Sequence, residues 1–165
     1  VLYKEKPFIN HIIDAILPIT NNIQLITNGN DYDFLGYKIV NDLVVDKGPL
    51  GGIYSALQSS ATDLNLILSC DIPLISTEIV LELIEKHNSN SVISVFEVDN
   101  RIHPLIGMYS KKIISVLKQS IDDNQLKVMD FLLKTTVQII PVIGDKSEQF
   151  KNINSVIELN EINNN

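Results

Sequence analysis

Apolar residues recur at helical spacing over residues 7–19, PFINHIIDAILPI, behind a proline that suits a first helical turn. The pattern then shortens. IQLIT at 23–27 reads as a strand, a second short strand follows at 38–41, and a glycine-bearing loop leads into a helix from about Leu50 to Ser60. NLILS at 65–69 is the next strand, and Ser76 or Thr77, with Glu78 behind it, caps a helix to about His87. SVISVFEV at 91–98 is rich in β-branched residues and strand-like. Beyond NRIHPLIGMY the pattern predicts helices over 110–121 and 127–134, a strand at 136–142, and a short helix from Ser155 that frays into INNN.

Strands separated by helices predict an α/β domain whose sheet is mostly parallel and covered by helices on both faces. Ligands in such folds gather at the carboxyl ends of the strands. No repeat or linker divides the chain, so one domain is expected over 1–165, with a disordered tail from about residue 160.

Composition changes this picture little. With 165 residues, 45% hydrophobic and 20% charged, the chain is globular and long enough to bury a core. Its longest apolar runs are too short to span a bilayer, and the first residues lack the basic-then-apolar order of a secretory signal. A single cysteine suits a reducing compartment, and a cytoplasmic location is expected. Charge narrows the partners more. The net is −7, and the cations, all lysines except Arg101, form no basic stripe, so neither nucleic acid nor membrane is expected as a partner. An acidic chain that handles phosphates does so through a metal ion, backbone amides and a few placed cations.

Four stretches carry candidate chemistry. In LILSCDIPLIS, residues 66–76, an apolar strand runs into Asp71, and Pro73 then turns the chain away. At the carboxyl end of a central strand this carboxylate would enter the ligand crevice; taken alone, the position favours an aspartate that caps the following turn. In NDLVVDKGPLGGIYSAL, Gly48, Gly51 and Gly52 surround Pro49 just before a helix, where amides can approach an anion, and Asp42 ends a short strand from which it could accept hydrogen bonds from ribose or base. No Walker lysine follows, and such glycines are more often steric punctuation. NRIHPLIGMY holds Arg101, whose planar fork suits phosphate or carboxylate, and His103, which reads equally as part of a polar turn. In FKNINSVIEL, Asn152 and Asn154 share one face if extended, or make an Asx-type turn before a helix. His11 and His87 read as surface or helix-end residues, and no histidine or cysteine spacing suggests zinc.

Taken in order, KPFINHIIDAI, NG after a strand, IVND, GPLGGI, CDIP, RIHPLIGMY and FKNINSVIEL resemble the molybdenum cofactor guanylyltransferase family, within the nucleotidyltransferases that share a three-layer Rossmann-like fold. CDIP alone marks only the wider group; RIHPL and NIN are more specific. The resemblance implies transfer of GMP from GTP to the phosphate of molybdopterin with release of pyrophosphate, assisted by Mg²⁺. It implies Asp71 as the catalytic, nucleotide- and metal-binding carboxylate. Asn28, Asp42, Gly48, Pro49, Leu50 and Gly52 fall at nucleotide positions, although ITNGN departs from the family's usual strand ending. Arg101, His103, Lys127, Asn152 and Asn154 fall on the molybdopterin side. GTP and molybdopterin are the implied partners, with molybdoenzyme chaperones as further ones.

One departure stands out. The family begins with a strand and a glycine-rich phosphate loop, roughly LAGGxSxRMGxDK, and the sequence starts just beyond it. That strand would lie between IQLIT and NLILS, so an upstream strand and loop are expected to be missing here. Alternatives are a cytidylyl-transferring relative, a sugar- or cofactor-nucleotide transferase, and a non-catalytic remnant that binds molybdopterin.

Overall fold

A computed structural model describes residues 2–29 and 31–153. Its first elements are a small hairpin, β1 (Leu2–Tyr3) and β2 (Lys6–Pro7), and helix α1 (Phe8–Ile16). The hairpin turns on Lys4 and Glu5, both at positive φ, and was not expected from the sequence. Helix α1 stops short of the expected residue 19, because Pro18 disfavours helical backbone at Leu17 and brings no N–H to continue the ladder. Strands β3 (Gln24–Ile26) and β4 (Lys38–Val40) pair in parallel, with Leu25 beside Ile39.

Helix α2 (Gly48–Ser59) begins two residues earlier than predicted, with Pro49 in its first turn. It is followed by β5 (Leu64–Leu68), α3 (Thr77–Lys86), β6 (Ile93–Val98), β7 (Arg101–Ser110), α4 (Ile114–Asp122), α5 (Val128–Leu132) and β8 (Val137–Pro141). Ser76 caps α3, its side chain accepting the Ile79 amide.

The second sheet has the order β5-β7-β6-β8. The sequence pattern predicted a mostly parallel sheet and, over NRIHPLIGMY, no more than a polar turn at a strand start; the sheet is instead mixed. Residues 101–110 form its longest strand, antiparallel to both β5 and β6, while β6 and β8 are parallel. Asp99 and Asn100, both in the left-handed region, make a two-residue hairpin turn that sends the chain straight back. β5, β6 and β8 therefore point one way and β7 the other.

Alternating side chains send each strand into two cores. Ile93 and Val95 of β6, with Tyr109 of β7, pack against Leu50, Ile53 and Leu57 of α2 and Leu117 and Ile121 of α4. Phe96 and Val98, with Ile106 and Met108, pack on the opposite face against Ile12 of α1 and Ile79, Val80 and Leu83 of α3. Helices thus cover both faces, as expected for three layers. Among the described residues no helix is long and apolar enough to cross a membrane.

The two sheets do not join. β3 pairs only with β4, and β5 only with β7, among the described residues. Between them runs a largely apolar slot of about 620 Å³, bordered by Gln24–Thr27 on one side and Leu64–Cys70 on the other, with α1 and α2 above and below. Gln24 Oε1 is buried in that region without a hydrogen-bond partner.

Candidate active site

β5 runs apolar to Leu68 and releases the chain at Ser69, so Asp71 emerges at its carboxyl end. Ser69 Oγ donates to Asp71 Oδ1, while Oδ2 has no partner among the described residues. The Asp71 carbonyl accepts the Ile153 amide at 2.8 Å, which ties the segment bearing Asn152 to the same turn. Asp71 is half-exposed and itself lines neither hollow, but its neighbours do: Ser69 borders both, Cys70 borders the slot, and Ile72 borders a second cavity of about 800 Å³. Burial and the neighbouring Asp71 charge push the Cys70 thiol above its ordinary pKa, so it rests as a thiol rather than a thiolate.

On the slot side, parallel pairing of β3 with β4 brings the ends of the two strands together. Asp42 N donates to Asn28 Oδ1 at 2.8 Å and Asn28 Nδ2 donates to Asp42 Oδ2 at 3.1 Å, while Asp42 Oδ1 is buried without a partner among the described residues. The loop beyond is fixed from below by Ser55, fully buried in α2, whose Oγ accepts the Leu43 amide at 2.9 Å and donates to the Gly51 carbonyl. Gly48 sits at φ 55°, and Pro49 and Gly52 line the upper end of the slot.

The glycines divide by role. A Cβ on Gly52 would meet nothing within 4 Å, whereas one on Gly51 would come within 3.1 Å of Lys47 Cβ and the Val44 carbonyl. Gly52 leaves open space; Gly51 lets the loop close on the helix. Leu50, matched to the nucleotide side in the sequence, has its side chain wholly within the α2 core, so only its backbone faces a ligand.

The second cavity gathers Arg101, His103 and Asn152 on one wall, with Lys151 and Ser147 beside them. His103 stacks 5.2 Å from Phe150, which meets Phe96 edge-on. Burial, and then the Arg101 charge, hold the His103 imidazole below its ordinary pKa, so it is neutral at pH 7. Lys127 caps α5 and is not part of this wall, and Asn154 lies outside the described residues. The remaining histidines are structural: His11 donates to the Tyr3 carbonyl, and His87 ends α3 against Ser94 Oγ.

Sequence reasoning missed Ser69, Ser55 and Lys151. Ser69 and Lys151 adjoin residues already singled out, Asp71 and Asn152, and adjacency was the available signal. Ser55 had none, because its role comes from tertiary contact with the 41–47 loop.

A carboxylate just past a strand end, an Asn–Asp pair and an open glycine loop, on a mixed sheet sandwiched by helices, suit a nucleotidyltransferase, and the comparisons with known proteins give that class. Residues 1–137 match the family model of the MobA-like NTP transferase domain, and the chain belongs to that family. It is 55% identical over 163 residues, covering 99% of the chain and 86% of the relative, to a Flavobacterium johnsoniae protein named a probable molybdenum cofactor guanylyltransferase. A protein of the same name from Carboxydothermus hydrogenoformans is 33% identical over 80% of the chain and 66% of its own length. Molybdopterin-guanine dinucleotide biosynthesis protein A from Archaeoglobus fulgidus superposes with a TM-score of 0.80 at 19% identity, over 98% of this chain and 86% of that one, a likeness of fold.

Proposed function

We infer that the chain transfers GMP from GTP to the phosphate of molybdopterin, releasing pyrophosphate. The observation that carries this reading is the turn after β5, where Ser69, bonded to Asp71, borders both the slot and the cavity of Arg101 and His103, and Asp71 Oδ2 has no partner among the described residues. The 55% identity to the Flavobacterium relative supports the choice of substrates.

On this reading the guanine nucleotide lies over Gly48, Pro49 and Gly52, with Asn28 and Asp42 holding its base or ribose. Molybdopterin occupies the larger cavity, where Arg101 meets its phosphate, neutral His103 donates or accepts one hydrogen bond, and Asn152 holds polar atoms. The attacking phosphate oxygen is already ionised at neutral pH, so no general base is required. The barrier is the approach of one anion to another, and catalysis is positioning and charge neutralisation.

A divalent cation suits the donor set. Among the described residues no cluster of three His, Cys, Asp or Glu side chains forms a complete metal cage, yet one carboxylate oxygen with substrate phosphates and water is the arrangement Mg²⁺ accepts. We take Mg²⁺ as that cation, with Asp71 as its protein ligand; when bound it would offset the phosphate charge during in-line displacement. Asp71 fixes where that charge is offset, and Ser69 holds the Asp71 carboxylate in place.

The slot between β3 and β5 supports a further part of the reading: its two facing strand edges accept one more β-strand, whose following loop would lie beside Gly52 and Asp71 and hold the triphosphate. The reaction belongs in the cytoplasm, with molybdoenzyme chaperones receiving the product. The deciding experiment incubates the full-length protein with molybdopterin and Mg²⁺ and measures pyrophosphate release with GTP, CTP and ATP in parallel. GTP is expected to support the reaction best; release with CTP alone, or with none of the three, rejects the reading.

A further inference from the structure

The pairing of β6 with β7 slips once. Val95 stands opposite Gly107, but its neighbour Phe96 stands opposite His103, so Pro104, Leu105 and Ile106 have no partner on β6. These residues arch away from β6 and toward β5, where Ile106 pairs with Leu68. Proline suits the arch because it has no N–H to offer a ladder. Three hydrogen bonds hold the arch and what depends on it. The Tyr109 hydroxyl donates to the Pro104 carbonyl at 2.5 Å, the Ser69 amide donates to the Leu105 carbonyl at 2.9 Å, and Ser69 Oγ donates to the Asp71 carboxylate.

The tyrosine is built in. Its side chain is fully buried, and burial raises the phenol's pKa, which keeps the hydroxyl protonated and able to donate. Gly107 makes room for the ring: a Cβ there would lie 2.8 Å from Tyr109 Cε2 and 2.9 Å from the Ser94 carbonyl. Phenylalanine would fill the same space, so the hydroxyl is present for its hydrogen bond to Pro104. The arch carries Leu105, which borders both cavities, and continues into His103 and Arg101.

We propose that Tyr109 is a positioning residue for the acceptor side of the site: through the Pro104–Ile106 arch its hydroxyl sets the Arg101–His103 wall and, by way of Ser69, the orientation of the Asp71 carboxylate. This rests on the assignment of the larger cavity to molybdopterin. It predicts an effect separated by substrate, because the Asn28–Asp42 pair and the glycine loop share no hydrogen bond with the arch.

The test compares Tyr109→Phe with Leu117→Val, a change in a fully buried residue of the same core on α4. In the full-length protein Tyr109→Phe should raise KM for molybdopterin roughly tenfold, raise KM for GTP by much less, and accelerate hydrogen exchange at the Ser69 amide. Leu117→Val should do none of these, whatever its effect on melting temperature. The proposal is overturned if Ser69 exchange is the same in Tyr109→Phe and the unsubstituted protein, or if the two variants shift both KM values alike. If the unsubstituted protein performs no guanylyl transfer, the assignment of substrate fails, and the Ser69 amide alone then decides for or against the arch.

Discussion

The Ile153 amide donates to the Asp71 carbonyl at 2.8 Å, so the backbone of the turn bearing Asp71 and the segment carrying Asn152 are joined by a hydrogen bond that involves neither side chain. Removing the Asp71 carboxylate therefore leaves the turn in place. Asp71→Ala should lower Mg²⁺-dependent GMP transfer by roughly two to three orders of magnitude, with an unchanged far-UV spectrum and melting temperature. Unaltered turnover would remove Asp71 from the mechanism.

Asn28 and Asp42 exchange two hydrogen bonds, so their effects on nucleotide affinity should not add. Each single alanine substitution is expected to weaken GTP binding, and the double variant to be little worse than either. Calorimetric titration of the four proteins gives the coupling directly. Additive losses would show that the two residues act on the nucleotide independently, and no loss in either variant that they do not touch it.

Gly107→Ala and Gly52→Ala should part company. At Gly107 the new methyl would strike the Tyr109 ring, the Ser94 carbonyl and Val95, all within 2.9 Å, and overpacking of this kind costs about 1–3 kcal/mol, seen as a lower urea midpoint. At Gly52 the methyl has open space, so the midpoint should hold while GTP affinity falls. Equal stability of the Gly107 variant would contradict the packing described here.

His103 should titrate below its ordinary value of 6.5, read from its imidazole resonances. The folded state then binds this proton more weakly than the unfolded chain. The stabilising contribution is full above about pH 7 and is lost as pH falls through the ordinary histidine value. His103→Gln should flatten the decline of melting temperature between about pH 7 and pH 5. A midpoint above 6.5 would reverse the sign.

What the sequence offers about the candidate site lies at strand ends. An apolar run that stops at Ser69 places Asp71 just beyond a strand, and β5 does end at Leu68. Strand β7 was not legible, since RIHPLIGMY carries a proline and a glycine that usually argue against a long strand. Each is admitted by a tertiary circumstance: Pro104 sits where β6 offers no partner, and Gly107 sits under the Tyr109 ring. With β7 hidden, the mixed character of the sheet was hidden too. The Asn28–Asp42 pairing was equally out of reach, because fourteen residues separate the two and only the parallel register of β3 and β4 brings them together. Leu50 shows the reverse error, a residue placed on the ligand side by its neighbours in sequence and drawn into the core by its own side chain.

The facing margins of β3 and β5 have a practical consequence for anyone who handles this protein. Two rows of hydrogen-bonding groups with no mate among the described residues, flanking a greasy trough, are an invitation to any extended peptide nearby, including one from a neighbouring copy. Such a preparation should self-associate as its concentration rises, and a short β-forming peptide added in excess should hold it monomeric.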